Sequence, residues 1–138
     1  MHNFKYPYKK ILEYIDCKKL TKINVNQGYT KCSICIVDEN SIIISDEGIY
    51  KAILEYDIDC LLISKGNIGL LVLNYGFIGG CTGLISKNKI AFFGDIKKHP
   101  DYEIIYKFIK LKNKEIISLS KEKLLDLGSL IPLMTRKE

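Results

Sequence analysis

The fold is decided by residues 32–64, which read CSICIVDENSIIISDEGIYKAILEYDIDCLLIS. Two apolar runs, Cys32–Val37 and Ser41–Ser45, flank a polar turn at residues 38–40, which is typical of a β-hairpin. Apolar residues then recur at helical spacing between residues 49 and 54, and a third apolar run, Cys60–Ser64, follows. The stretch therefore predicts the order strand, strand, helix, strand.

The same order returns later in the chain, beginning 49 residues after Cys32 at Cys81. Asp46 is placed to cap the first helix, and Pro100 is expected at the first position of the second helix. The two ends of the chain resemble parts of further units, with a helix at Tyr8–Lys18. The other predicted elements are the strands Lys22–Val25, Thr82–Ser86, Ile90–Phe93, Glu115–Leu119 and Leu124–Leu133. We therefore expect one α/β domain over residues 1–138, built of about three repeated ββαβ units.

Composition narrows the class of protein. The 138 residues include 23 isoleucines, and the net charge of +5 rests on 20 lysines and the single arginine Arg136. The lysines are scattered among acidic residues, which argues against nucleic-acid binding. The apolar runs are too short to cross a membrane, and no signal peptide opens the sequence. We expect a cytoplasmic protein with five reduced cysteines and neither a membrane nor a nucleic acid as partner.

A Cys-x-x-Cys pair lies at Cys32 and Cys35. A redox pair of this kind stands at a helix N-terminus, whereas these two residues fall in an apolar run that is predicted to be a strand. A zinc site needs four converging ligands, and the other cysteines stand alone. The pattern favours buried structural thiols, with no metal and no cofactor.

Gly76–Gly83 contains four glycines in eight residues. Such a density indicates either turns with positive φ or a backbone that a ligand or another strand approaches closely. The segment lacks the trailing lysine and hydroxyl residue of a phosphate-binding loop. If a ligand makes this approach, the candidate binding residues are Gly79, Gly80, Cys81 and Thr82.

Two further side chains are candidates for chemistry. His99 either caps the following helix or acts as a general base or acid in a cleft. Asp126 is flanked by leucines in Leu124-Leu125-Asp126-Leu127-Gly128. Because an unpaired buried carboxylate is costly, Asp126 lies either in a turn or against a polar site.

Four segments together resemble an uncharacterised bacterial family assigned to the guanidino-group-modifying-enzyme fold, also called the pentein fold. They are Gln27–Ser33, Gly76–Gly80, Phe93–Pro100 and Leu125–Gly128. The resemblance runs from about Asn24 to Leu133. It implies a pentein-like propeller, partial or complete, because five ββαβ units close such a ring and this sequence holds about three.

The resemblance also implies chemistry. Enzymes of this fold attack a guanidinium carbon with a cysteine, assisted by a histidine and by carboxylates. The nucleophile pattern is similar to Gly28–Ser33, which makes Cys32 the candidate nucleophile. The His-Leu-Asp pattern is similar to residues 124–126, where Asp126 is kept and Leu124 replaces the histidine. The Gly-Gly-Asp pattern is similar to residues 79–81, where Cys81 replaces the aspartate.

Two functions follow from this incomplete pattern. The first is a degenerate, non-catalytic module that binds a small ligand, such as a guanidino compound, or a partner. The second is a thiol-dependent hydrolase or transferase in which Cys32 attacks and Asp46, Asp126 or His99 assists. The strands expected at both ends of the chain present open edges, so we also expect a homo-oligomer.

Overall fold

The structure, a computed structural model, describes residues 1–134. It contains four α-helices and six strands in this part of the chain, with short 3₁₀ turns at Ile78–Cys81 and Ile96–Lys98. The helices are α1 (Lys9–Cys17), α2 (Thr30–Ser33), α3 (Glu47–Ile53) and α4 (Tyr102–Leu111). The strands are β1 (Ile34–Ile36), β2 (Ser41–Ile44), β3 (Asp59–Leu62), β4 (Thr82–Ser86), β5 (Lys89–Phe92) and β6 (Glu115–Ser118).

The strands form two three-stranded sheets, and the chain is a mixed α/β domain. In the first sheet, β2 pairs antiparallel with β1 and parallel with β3, and α3 makes the crossover. In the second sheet, β5 pairs antiparallel with β4 and parallel with β6, and α4 makes the crossover. Within residues 1–134 the sheets do not join into a closed barrel.

Isoleucine supplies most of the core that joins the elements. One buried cluster brings Cys35 and Ile43 of the first sheet together with Ile90 and Phe92 of the second sheet. A second cluster packs α3 onto the other face of the first sheet. Branched apolar side chains on alternate strand positions thus face both clusters, as expected for a sheet that is covered on two sides.

Local signals placed most elements correctly. Asp46 caps α3, because its carboxylate accepts the backbone N–H of Ile49 at 2.9 Å. The strand predicted at Thr82–Ser86 is β4, with the same bounds. The helix predicted at Tyr8–Lys18 is α1, shortened by one residue at each end.

Two predicted boundaries are wrong. Cys32 does not open a strand, because residues 30–33 form the helical turn α2 and the strand begins only at Ile34. In that turn, the backbone N–H and the hydroxyl of Ser33 both donate to the carbonyl of Tyr29. Pro100 is not the first residue of α4, which begins at Tyr102 after the 3₁₀ turn.

The two terminal strands are also absent from the described residues. In the predicted strand Lys22–Val25, only Asn24 makes a bridge, to His2. In the predicted strand Leu124–Leu133, only Leu125 makes a bridge, to Gly69. Each segment lacks the continuous ladder of hydrogen bonds that a strand needs.

Among the described residues, no helix has the length and apolar character required to span a membrane.

Candidate functional site

A cavity of about 570 Å³ brings together two residues that the sequence selected separately, Cys32 and Asp126. Cys32 reaches the wall from α2, and Asp126 reaches it from the loop after β6. Most of the remaining wall is apolar or aromatic. The lining residues are Tyr29, Cys32, Leu70, Leu73, Asn74, Tyr75, Phe77, Asp126, Leu127 and Gly128.

The carboxylate of Asp126 is fixed by backbone donors on both oxygens. Oδ2 accepts the N–H of Phe77 at 2.9 Å, and Oδ1 accepts the N–H of Gly128 at 2.9 Å. Gly128 has a φ of +92°, a conformation that glycine adopts without strain. The side chain of Asp126 is therefore held in one orientation, and its residue is only 6% exposed.

The side chain of Asp126 packs directly against the backbone of the glycine-rich segment. A Cβ at Gly80 would overlap the carboxyl group of Asp126, and a Cβ at Gly76 would overlap the Cβ of Asp126. A Cβ at Gly79 would overlap the backbone carbonyl of Ile34. Since Gly76, Gly79 and Gly80 have no positive φ, close approach is the reason for glycine here.

Cys32 is half-buried in the wall. Burial raises the pKa of its thiol, and the negative charge of Asp126 raises it further, while the positive charge of Lys31 lowers it. The balance leaves the pKa above that of an ordinary thiol. At neutral pH this side chain is therefore a thiol, and the thiolate, which is the nucleophilic form, is scarce.

The second cysteine of the Cys-x-x-Cys pair lies apart from the cavity. Cys35 is fully buried on β1, where burial raises the pKa of its thiol to about 12. Cys32 stands on a helical turn and Cys35 on the strand that follows it. Among residues 1–134, no group of three or more histidine, cysteine and acidic side chains is placed to hold a metal ion.

His99 does not line the cavity and has a structural partner. Its Nδ1 accepts the backbone N–H of Asp101, the residue before α4, at 3.0 Å. The side chain is 3% exposed, and Nε2 has no hydrogen-bond partner among the described residues. Burial lowers the pKa of His99, against an opposite effect of Asp101.

Asp46 also lies outside this cavity. Besides capping α3, it accepts a hydrogen bond from Nε2 of Gln27 at 3.1 Å. Burial alone would raise the pKa of Asp46, but the hydrogen bonds from Ile49 and Gln27 bring it below the ordinary value. Its side chain faces a separate, smaller hollow of about 190 Å³.

The four residues proposed for ligand binding, 79–82, are buried and are not part of the wall. The thiol of Cys81 and the hydroxyl of Thr82 both donate to the carbonyl of Ile78, at 3.2 and 3.0 Å. Gly79 lies against the backbone of Ile34 in β1, and Gly80 lies against the carboxyl group of Asp126. Residues 79–82 therefore lie behind the cavity wall, where they contact Asp126 and β1 and do not line the cavity.

Sequence reasoning missed the aromatic part of the wall, which consists of Tyr29, Tyr75 and Phe77. These residues come from two separate loops, and no periodic pattern connects them. The one available signal was their position, since Tyr29 and Phe77 lie inside the segments already singled out, 27–33 and 76–83, and Tyr75 directly precedes the second segment.

Fold and site together define a small α/β domain with one thiol and one carboxylate in an open, largely apolar cavity. The chain belongs to a family of unknown function (DUF6873), which matches residues 1–131. Comparisons with curated proteins and with solved structures found no match.

Proposed function

We propose that the cavity beside Asp126 binds a small organic cation and that the domain is a binding module without thiol catalysis. The observation that carries this proposal is the placement of Asp126, which is the only charged side chain among the lining residues. A carboxylate in an apolar wall is stabilised by a positive partner. A cationic ligand would therefore bind at this position more tightly than a neutral ligand of the same size.

The hydrogen bonds of Asp126 leave capacity for a ligand. An ionised carboxylate offers about four acceptor positions, and the backbone N–H groups of Phe77 and Gly128 occupy one on each oxygen. A planar guanidinium or amidinium group presents two parallel N–H bonds, which match the two oxygens of a carboxylate. The resemblance to guanidino-group-modifying enzymes supports this ligand class.

The aromatic residues of the wall favour the same class. Tyr29, Tyr75 and Phe77 border the cavity, and the faces of such rings attract cations. A volume of about 570 Å³ is in the range of small-molecule sites. The apolar remainder of the wall would contact the carbon part of a substituted guanidinium.

The fold-level part of the proposal is a pentein-like arrangement, partial or complete, in a homo-oligomeric protein of the bacterial cytoplasm. The shared order of the two sheets, an antiparallel pair followed by a parallel crossover, supports the pentein-like arrangement. Each sheet also begins directly after a short helical turn, at Thr30–Ser33 and Ile78–Cys81. The cavity and its ligand do not depend on closure of a ring.

The binding proposal is tested by titrating the protein with methylguanidinium, N-methylurea and tetramethylammonium, followed by calorimetry or by NMR. N-methylurea has nearly the same shape without the charge, and tetramethylammonium has the charge without N–H donors. We expect methylguanidinium to bind most tightly, and Asp126→Asn to weaken it by about tenfold or more, as loss of a charged hydrogen bond predicts.

Glu122→Gln is the matched control, because it removes one negative charge from an exposed position near Asp126 in the sequence. We expect this variant to bind methylguanidinium as the native protein does. Equal affinity for methylguanidinium and N-methylurea would contradict the proposal. So would equal effects of the two substitutions.

A thiol-dependent enzyme is the second candidate, and one observation favours it, namely that Cys32 reaches the same cavity as Asp126. The raised pKa of the Cys32 thiol argues against it, because it keeps the nucleophilic form scarce. Among the lining residues there is also no histidine to take the proton.

The two proposed functions predict different reactivities of Cys32 toward iodoacetamide. The modification of each cysteine is followed by mass spectrometry as a function of pH. We expect a midpoint above the value of about 8.5 for a free cysteine. Asp126→Asn should lower that midpoint, since it removes a charge that opposes the thiolate, and Lys31→Met should raise it. A midpoint below that of free cysteine would exclude the non-catalytic proposal for Cys32.

A further inference from the structure

The rim of the cavity beside Asp126 includes a four-residue turn of sequence Leu-Leu-Val-Leu, residues 70–73. Its first and last residues line the cavity, and the backbone N–H of the last donates to the carbonyl of the first at 3.3 Å. The two residues at its tip do not line the cavity. The turn therefore brings two leucines, Leu70 and Leu73, next to each other on the cavity side.

The composition of this turn is opposite to what an exposed turn favours locally. Val72, its third residue, has a φ of +72°, and that position of a turn is ordinarily taken by glycine or asparagine when φ is positive. A β-branched residue in this conformation is strained. Leu71 and Leu73 are 73% and 68% exposed, and Val72 is fully exposed. Since departures from local preference concentrate at functional sites, the apolar character of the turn indicates a contact with a ligand.

The apolar rim continues on two other loops. Leu127, which follows Asp126, and Tyr29, which precedes α2, both line the cavity and are both exposed. Single exposed apolar residues are common on protein surfaces, but here three separate loops present them around one cavity. Apolar patches of this kind mark ligand-binding grooves.

The cavity is much larger than the head group proposed for it. Its volume of about 570 Å³ corresponds to roughly nineteen water molecules at about 30 Å³ each. A guanidinium group paired with Asp126 would leave most of this space to water in contact with leucine and aromatic side chains. A ligand that carries an apolar tail on the same head group would displace this water, which stabilises the complex.

We propose that the cavity binds an amphipathic cation, whose guanidinium or amidinium head group pairs with Asp126 and whose alkyl tail lies against Leu70 and Leu73. This inference rests on the proposed function for the head group and adds the chemistry of the rest of the ligand. The charge and the apolar rim thus select different parts of one molecule.

The same head group could also belong to an arginine of a partner peptide, but the wall favours a small molecule. None of the described residues that line the cavity belongs to a strand. An extended peptide pairs its backbone groups with an exposed strand edge, and this wall offers no such edge along the described lining residues. An alkyl tail needs no hydrogen-bond partners.

The test is a calorimetric titration with methyl-, butyl- and hexylguanidinium and with the N-alkylureas of the same chain lengths. We expect the affinity for the guanidinium series to rise about three- to fourfold for each added CH₂, as burial of a methylene group predicts. Each alkylurea should bind more weakly than the alkylguanidinium of the same length, because it lacks the charge that pairs with Asp126.

Leu73→Ser and Leu71→Ser form a matched pair, because the two leucines are similarly exposed in the same turn and only Leu73 lines the cavity. We expect Leu73→Ser to weaken the binding of hexylguanidinium about tenfold more than that of methylguanidinium. Leu71→Ser should change neither affinity. Both variants should keep the thermal midpoint of the native protein, since both side chains are exposed.

The outcomes separate this inference from the proposed function. A constant affinity across the guanidinium series, with methylguanidinium still preferred to N-methylurea, would overturn the amphipathic ligand and leave the cation site intact. Equal affinities of guanidinium and urea at every chain length would contradict the cation site itself, and the amphipathic cation with it. Equal effects of Leu71→Ser and Leu73→Ser would also overturn the inference.

Two further outcomes would identify a different occupant and overturn the proposal. Tighter binding of the peptide acetyl-Leu-Arg-Leu-amide than of hexylguanidinium would assign the cavity to an arginine of a partner polypeptide. Binding of the protein to vesicles of anionic phospholipid that Leu71→Ser and Leu73→Ser weaken equally would assign the turn to a membrane surface.

Discussion

Gly79→Ala is expected to lower the free energy of unfolding by about 3 kcal/mol. A Cβ at this position overlaps the backbone carbonyl of Ile34 and lies close to that of Cys32. These atoms belong to the chain that leaves α2 and enters β1, and they cannot turn away as a flexible side chain would. The substitution must therefore separate the 3₁₀ turn at residues 78–81 from the first sheet.

Gly28→Ala is the matched control. Nothing lies within 4 Å of a Cβ at Gly28, and its φ is not positive. We expect its effect to stay within about 0.5 kcal/mol. Both variants are measured by urea denaturation, and equal midpoints for Gly79→Ala and Gly28→Ala would show that the two segments are not in close contact.

Gly79 illustrates which part of the fold the sequence could predict. The density of glycine in 76–83 indicated positive φ or close approach, and only the second occurs. Which atoms make the approach could not be predicted, because Ile34 is 45 residues from Gly79 and Asp126 is 46 residues from Gly80 along the chain. Local patterns report on neighbours in sequence, whereas this contact is fixed by the packing of two sheets.

The same distinction explains the errors at element boundaries. The bounds of β4 and the cap at Asp46 follow from local periodicity and local hydrogen bonds, and both predictions are confirmed. The start of β1 was wrong because Ser33 bonds to Tyr29 and draws Cys32 into a helical turn. An apolar run of four to six residues fits a strand and a helical turn equally well.

For the site, the sequence identified candidate residues but did not predict which of them lie in the same cavity. Asp126 was expected either in a turn or against a polar site, and its carboxylate bonds to the N–H groups of Phe77 and Gly128. Cys32 shares its cavity, whereas His99 and Asp46 face elsewhere. Roles for Cys32 and Asp126 remain proposals that the ligand titration and the thiol measurement test.

Asp126→Ala is expected to lower the free energy of unfolding by about 3 kcal/mol, because it leaves the N–H groups of Phe77 and Gly128 without their acceptor. Gly80→Ala is expected to cost about 2 kcal/mol in the native background. The three atoms nearest to a Cβ at Gly80 all belong to the carboxyl group of Asp126. Removing that group should relieve the clash.

The two substitutions should therefore be strongly non-additive. We expect the double variant, Gly80→Ala with Asp126→Ala, to be about 2 kcal/mol more stable than the sum of the single effects predicts. The control cycle pairs Asp126→Ala with Gly79→Ala, whose nearest atoms are backbone atoms of Ile34 and Cys32. That cycle should be additive within about 0.5 kcal/mol. Equal coupling in both cycles would mean that the carboxyl group of Asp126 does not lie against Gly80.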